Sequence, residues 1–223
     1  MRNLVENLAH RCPRCRLTPR WCVCSAQRDI AVPLEIDILM HRRERFRPTS
    51  TGNLIHRAIP ASRHHLYRRE DKLPADALRV PGREVWILHP HGAPAPQPPP
   101  APETLQVMLL DGSWREASAM AQEVAEWGRL VCLPMVGESR YWLRAKGEGA
   151  RFSTVEALLF LLKYLQLDAA HEALALQFEL HVYAGLRARG NKERSEEFLA
   201  TSPIREKFAD VIAQLNVRRP NVR

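Results

Sequence analysis

Four of the five cysteines fall in one short segment, Cys12-Pro13-Arg14-Cys15 followed by Cys22-Val23-Cys24. Thiols crowded in this way suit a metal better than disulfides in a reducing compartment. Four thiolates complete a tetrahedral shell and leave no position for a catalytic water, so the site they form is structural. Zinc is the expected ion. An iron–sulfur cluster or redox thiols remain as alternatives, because one residue rather than two separates the second pair. Arg11, Arg14, Arg16, Arg20 and Trp21 surround the cluster. A basic knuckle with an aromatic grips phosphates and stacks on a base, or else Trp21 packs the knuckle onto a larger domain. The remaining thiol, Cys132, lies in the apolar run Leu130-Val131-Cys132-Leu133 and reads as a core residue.

Three further segments carry polar groups suited to chemistry. Asp111-Gly112-Ser113-Trp114 follows an apolar run and precedes a helical pattern. Gly112 permits close backbone approach, and a helix start offers unpaired N–H groups. Asp111 is there a candidate base or ligand anchor, or simply a turn or helix cap. The segment from Met40 to Gly52 concentrates Arg42, Arg43, Arg45 and Arg47 beside hydroxyls. Arginine makes planar, bidentate contacts with phosphate, so these four, with Arg14 and Arg16, are candidate RNA-binding residues. Ser139-Arg140-Tyr141-Trp142-Leu143-Arg144 is the third.

Positioning these groups falls to an α/β fold. Apolar runs at Leu34–Met40, Glu84–Leu88, Thr104–Leu110 and Leu130–Val136 read as strands of a sheet covered on both faces. Between them, Arg115–Trp127 places Met120, Val124 and Trp127 on one helical face. Ser153-Thr154-Val155-Glu156 is a capping box opening a central helix that runs to Leu165. Helices are also expected over Ala169–Arg187 and along the stripe Ile204, Phe208, Ile212 and Leu215. Alternating strands and helices imply a largely parallel sheet, with ligands beyond the carboxyl ends of its strands. The proline-rich stretch 92–102 is expected as an extended loop inside the domain. Residues 1–28 then form a knuckle and 29–223 the main domain.

The 223 residues carry a net charge of +8, supplied mostly by arginine, and 45% of them are hydrophobic. That composition excludes global disorder and favours a nucleic-acid partner over a genome-wide arginine bias. No apolar run is long enough for a membrane span, and Met1-Arg2-Asn3-Leu4 lacks the apolar core of a signal peptide. A cytoplasmic protein with no membrane or protein partner is the expectation.

Together the ordered segments resemble the DTW-domain family, the tRNA-uridine aminocarboxypropyltransferases, over nearly the whole chain. The resemblance rests on Cys12, Cys15, Cys22 and Cys24, then His41, Glu44, Arg47, Thr49, Thr51 and Gly52. It continues through Leu110-Asp111-Gly112-Ser113-Trp114, Tyr141-Trp142-Leu143-Arg144 and Ser153-Thr154-Val155-Glu156-Ala157. Ser113 stands where the name-giving motif has Thr, keeping the hydroxyl. The resemblance implies a SPOUT-like knotted domain that binds S-adenosylmethionine and moves its 3-amino-3-carboxypropyl group to N3 of a tRNA uridine. It implies a cofactor site at Leu88, Pro90, Leu110 to Trp114, Leu133, Pro134, Arg140, Leu143, Arg144, Ser153, Thr154 and Glu156. Within it Asp111 is base or anchor for the cofactor ammonium, and Arg140 or Arg144, with Ser153 and Thr154, meets the carboxylate. A SPOUT-type RNA methyltransferase and a non-catalytic zinc-knuckle RNA-binding protein are the rival readings.

Overall fold

The computed structural model describes residues 11–71, 74–144 and 152–217. The first ten residues of the expected knuckle therefore lie outside the described residues.

Five strands form one all-parallel sheet in the order β2-β1-β4-β3-β5. They are β1 (Glu35–His41), β2 (Arg63–Tyr67), β3 (Glu84–Pro94), β4 (Leu105–Asp111) and β5 (Arg129–Cys132). Side chains alternate across a strand, so a run such as Leu-Gln-Val-Met-Leu-Leu must bury both faces. Ile36, Ile38, Met40, Val107 and Leu109 turn to one side, into a core shared with the helices α1 (Thr51–Ala58), α4 (Thr154–Tyr164) and α5 (Asp168–Ala188). Leu39, Met108 and Leu110 turn to the other, onto Met120 and Val124 at α3 (Trp114–Glu123). The knuckle is no separate body: Cys15, Leu17, Trp21, Val23 and Ala26 enter the first of these cores.

Several boundaries differ from expectation. β3 outlasts the apolar run and takes in the start of the proline-rich stretch, with Ala93 opposite Val131 and Pro94 opposite Cys132. The register shifts between Leu88 and Ala93, so residues 89–92 bulge out of the ladder. Gly92 lets the strand rejoin, because a Cβ there would sit 2.5 Å from the Val131 backbone nitrogen. α3 stops at Glu123 and the chain tightens into a 3-10 turn over Ala125–Trp127 before entering β5. The last amphipathic stretch breaks at Phe208 (φ −128°, ψ 33°) into α7 (Ile204–Lys207) and α8 (Ala209–Asn216), with Ile204, Ile212 and Leu215 still buried. Sequence patterns missed α1, β2 and α6 (Lys192–Ala200), as well as the one-turn α2 (Ala75–Leu78). β2 reads Arg-His-His-Leu-Tyr, an edge strand whose side chains need not be apolar. Its Arg63 and His65 donate to the fully buried Asp37 of β1 at 2.7 and 2.6 Å, joined by Gln106 of β4 at 2.7 Å.

Candidate active site and metal centre

The four thiols of the knuckle converge until their sulfurs all lie within 4.8 Å of one another. Cys12 and Cys24 are 3.7 Å apart, and Cys15 and Cys22 3.8 Å. A tetrahedral ion with bonds of about 2.3 Å to sulfur sets its thiolates about 3.8 Å apart. The four residues therefore fit one shared ion, rather than a cluster whose thiolates bind separate irons. Arg57 of α1, largely buried, reaches the Arg14 carbonyl at 3.5 Å and brings a positive charge toward the sulfurs. Trp21 is buried under α5, with the Arg187 guanidinium 4.9 Å from its ring centre, so it packs the knuckle down and is not presented to solvent. Cys132 is half-buried at the end of β5, not fully in the core.

At the carboxyl edge of the sheet three helices begin on serine caps. Ser50, Ser113 and Ser153 each accept the backbone N–H three residues on, opening α1, α3 and α4. The last two are complete capping boxes, with Glu116 and Glu156 returning the bond. Asp111, the last residue of β4 and 3% exposed, stands between α1 and α4. Its Oδ2 accepts the Ser50 hydroxyl at 2.8 Å, and its Oδ1 accepts the Gly52 N–H at 3.2 Å and the Thr154 hydroxyl at 2.7 Å. A Cβ at position 52 would lie 2.7 Å from Oδ2, so this approach requires glycine. Burial raises the Asp111 carboxyl above the ordinary range, against the three hydrogen bonds and the Arg144 charge.

Beside this latch a cleft opens between β3, β4, β5 and the start of α4. Leu88, Pro90, Leu110, Gly112, Trp114, Leu133, Arg144, Ser153 and Thr154 line it. Its mostly apolar walls with a few polar groups suit part of a small organic ligand. Asp111, Ser113, Pro134, Arg140, Leu143 and Glu156 stand outside it. Glu156 holds the preceding loop through Ser139 at 2.9 Å and the Arg140 backbone N–H at 2.7 Å. Arg140 grips Glu179 at 3.1 and 3.2 Å and lies 4.2 Å over Phe198, which leaves Arg144 as the arginine at the cleft.

Sequence reasoning passed over His89, which the bulge in β3 turns into the cleft wall. His89 Nδ1 accepts the His91 N–H at 3.2 Å, and burial pushes the ring toward its neutral form. The proton then rests on Nε2, which is buried without a partner among the described residues. The bulge brings His89 here, and Pro90 and Gly92 just past the apolar run are the sequence signals that point to such a bulge.

A second, open cleft adjoins the first and shares Trp114 and Arg144 with it. Glu44, Arg47, Thr49, Ser113, Arg115, Tyr141 and Leu143 complete its lining. The turn over 42–50 that forms one wall is pinned from beneath: His181 of α5 bonds the Pro48 carbonyl at 2.9 Å, and the Tyr141 hydroxyl donates to the Thr49 carbonyl. Of the arginines on this turn, Arg43 pairs with Glu116 at 3.5 Å and Arg47 with Glu44. Arg45 turns the other way, into a third cleft between the knuckle and the sheet edge, together with Arg14, Arg16, Arg57, His56 and His64. At its rim Phe46 is 42% exposed, flanked by the guanidinium groups of Arg16 and Arg45 at 5.9 and 5.1 Å.

No helix among the described residues is long and apolar enough to cross a membrane. No solved structure matches the chain. A family model described as the DTW domain matches residues 9–184, from the knuckle into α5. That match takes in the four cysteines, the serine-capped helix starts, the Asp111 latch and both connected clefts, and the chain accordingly belongs to the DTW-domain family.

Proposed function

We propose that this protein modifies tRNA, transferring the 3-amino-3-carboxypropyl group of S-adenosylmethionine to N3 of a uridine, within a SPOUT-like knotted domain. One observation carries the reading: a mostly apolar cleft adjoins, through Trp114 and Arg144, an arginine-lined open cleft roomy enough for a nucleotide. S-adenosylmethionine would supply a carbon activated by its sulfonium. The residues present fit it. His89 offers a buried, unpartnered N–H to a hydroxyl or ring nitrogen, and Trp114 and Phe152 offer aromatic faces suited to adenine or a sulfonium. Arg144 at the shared rim suits the amino-acid carboxylate, a group that an aminocarboxypropyl transfer must orient. Gathering of segments 88–90, 109–114, 133–135 and 152–157 around one cleft supports the knotted reading. In this account Asp111 is a positioning residue, tying the starts of α1 and α4 to the end of β4.

Arg14, Arg16 and Arg45 with Phe46, and Arg47 with Arg115, would carry RNA phosphates and stack a base. Arg42 and Arg43 lie on the same turn and would add charge at its edge. Zinc in the knuckle would brace the first of these groups. The test is mass mapping of tRNA nucleosides after incubation with protein and S-adenosylmethionine, with the small product identified. A uridine heavier by an aminocarboxypropyl group and release of methylthioadenosine are expected. Release of S-adenosylhomocysteine would instead make the protein a methyltransferase, and no cofactor binding by calorimetry would make it a binding module.

A further inference from the structure

Resting on that transferase reading, we propose that Glu44 is the general base that takes the N3 proton of the target uridine. Of the described residues lining the two connected clefts, Glu44 is the one that carries a carboxylate. Asp111, the acid of the strongest sequence motif, has both oxygens engaged by Ser50, Gly52 and Thr154 and lies behind the wall. Glu44, 7% exposed, lines the open cleft through which the nucleoside would enter. One of its oxygens, Oε1, accepts from Arg47, while Oε2 has no hydrogen bond among the described residues.

A base must be held rigidly, and this one is. The Glu44 N–H bonds the His41 carbonyl at 2.8 Å, its own carbonyl takes the Arg47 N–H at 3.0 Å, and α5 braces the turn through His181. Uridine N3–H is a weak acid, so its attack on carbon gains from proton removal within hydrogen-bond reach. The proton passes to Glu44 Oε2, and the N–H pair becomes the new N–C bond. The pair of the broken C–S bond leaves on the departing thioether.

The electrostatic setting agrees. Desolvation and the negative charges of Asp111 on β4 and Glu116 on α3 raise the Glu44 carboxyl, opposed by Arg47 on its own turn. Arg115 of α3 and Arg144 and Tyr141 of the loop before α4 face the same cleft. A raised value brings a carboxylate closer to the strength a general base needs near neutrality.

The experiment is single-turnover release of methylthioadenosine across a pH series, on intact protein with tRNA, for parent, Glu44→Gln and Glu44→Asp. Glu44→Gln should slow the step by about 10²–10⁴-fold and abolish the acidic limb of the profile. Calorimetric affinity for S-adenosylmethionine and filter-binding affinity for tRNA should stay within a few-fold of the parent. Glu44→Asp should keep the acidic limb at a reduced rate, which separates loss of the base from loss of the Arg47 pair. A Glu44→Gln rate within a few-fold of the parent, an acidic limb that persists in it, or a loss confined to tRNA affinity overturns the assignment. Should the parent itself release no methylthioadenosine, the transferase reading fails first, a result distinct from any variant's.

Discussion

Replacing Asp111 by Asn changes little in shape and much in charge, and the latch geometry sets what should follow. The carboxylate accepts three hydrogen bonds at 2.7–3.2 Å while almost wholly buried. An Asn can keep its oxygen toward Gly52 and Thr154 and turn its amide toward Ser50, whose hydroxyl already accepts the Asn53 N–H at 3.2 Å and has a lone pair left. Two charge-assisted bonds become neutral ones, a loss of about 1 kcal/mol each, partly offset because a buried amide costs less desolvation than a buried carboxylate. The net destabilisation should be about 1–2 kcal/mol, whereas Asp111→Ala, which orphans three donors, should cost about 3–6 kcal/mol. The pH dependence has a definite sign. Because the folded state raises the Asp111 carboxyl, the parent gains stability from this group as pH falls through the folded value, a gain Asn lacks. The deficit of Asp111→Asn, parent minus variant, should therefore widen on acidification. Urea unfolding followed by tryptophan fluorescence, over a pH series running from neutrality toward the ordinary carboxylate range, measures it. As a positioning residue, Asp111 should also raise the dissociation constant for S-adenosylmethionine in the Asn variant, since Gly112 and Thr154 of the cleft move with the latch. A stable variant with unaltered cofactor affinity and a deficit flat in pH would refute the latch, and a turnover loss of about 10²–10⁴-fold at unaltered affinity would return the base role to Asp111.

Elemental analysis should find one zinc per chain, and chelation or Cys24→Ser should lower the thermal midpoint, because Leu17, Trp21 and Val23 belong to the main core; zinc-free protein with an unaltered midpoint would contradict this. Arg16→Ala with Arg45→Ala should weaken tRNA binding and reduce the logarithmic salt slope by about 1.4–1.8 while sparing cofactor affinity; an unchanged slope removes the knuckle cleft from the RNA surface. Asp37→Asn should cost about 1–3 kcal/mol at neutral pH, because charge-assisted bonds from Arg63 and His65 become neutral ones, while Arg63 and Gln106 keep the Leu78 carbonyl. Hydrogen bonds from His65, Arg63 and Gln106 hold Asp37 below the ordinary carboxylate range against desolvation, so that stabilisation is present above the unfolded value and is lost as pH falls through the lower folded one; equal deficits at pH 7 and pH 2.5 would count against it.

Periodicity found the elements that bury both faces and missed those that do not. β1, β4 and α4 are apolar enough to be recognised at sight, whereas β2 at the sheet edge and the short α1 carry histidines, arginines and hydroxyls that resemble a loop. The cap at Ser153 was legible because a capping box is a local pattern, three residues long in its spacing. The meeting of Asp111 with Gly52 and Thr154 was not, since partners so distant in sequence come together only through strand order. The four arginines from Arg42 to Arg47 read as one basic patch, yet the turn sends Arg43 to α3, Arg47 to Glu44 and Arg45 to the knuckle. Charge composition reports how many phosphates a surface can hold, and backbone geometry decides on which side.

That division of one turn between two clefts explains why the knuckle shares a core with the domain it accompanies. A tethered metal module would let Arg14 and Arg16 wander relative to the cleft beside Trp114. Packing Trp21 beneath Arg187 and burying Leu17 and Val23 fixes them to α5, the helix that also braces the 42–50 turn through His181. Burial holds His181 near a pKa of about 3, so this brace stays neutral and keeps its bond to the Pro48 carbonyl across the physiological range. The four clustered cysteines, the arginines beside Phe46 and the carboxylate of Glu44 are thereby referred to one helix. On the proposed reading, an RNA strand gripped at the knuckle would meet the open cleft in a set register, and rigid reference of this kind is what a site would need to present one nitrogen of one base to a carbon atom.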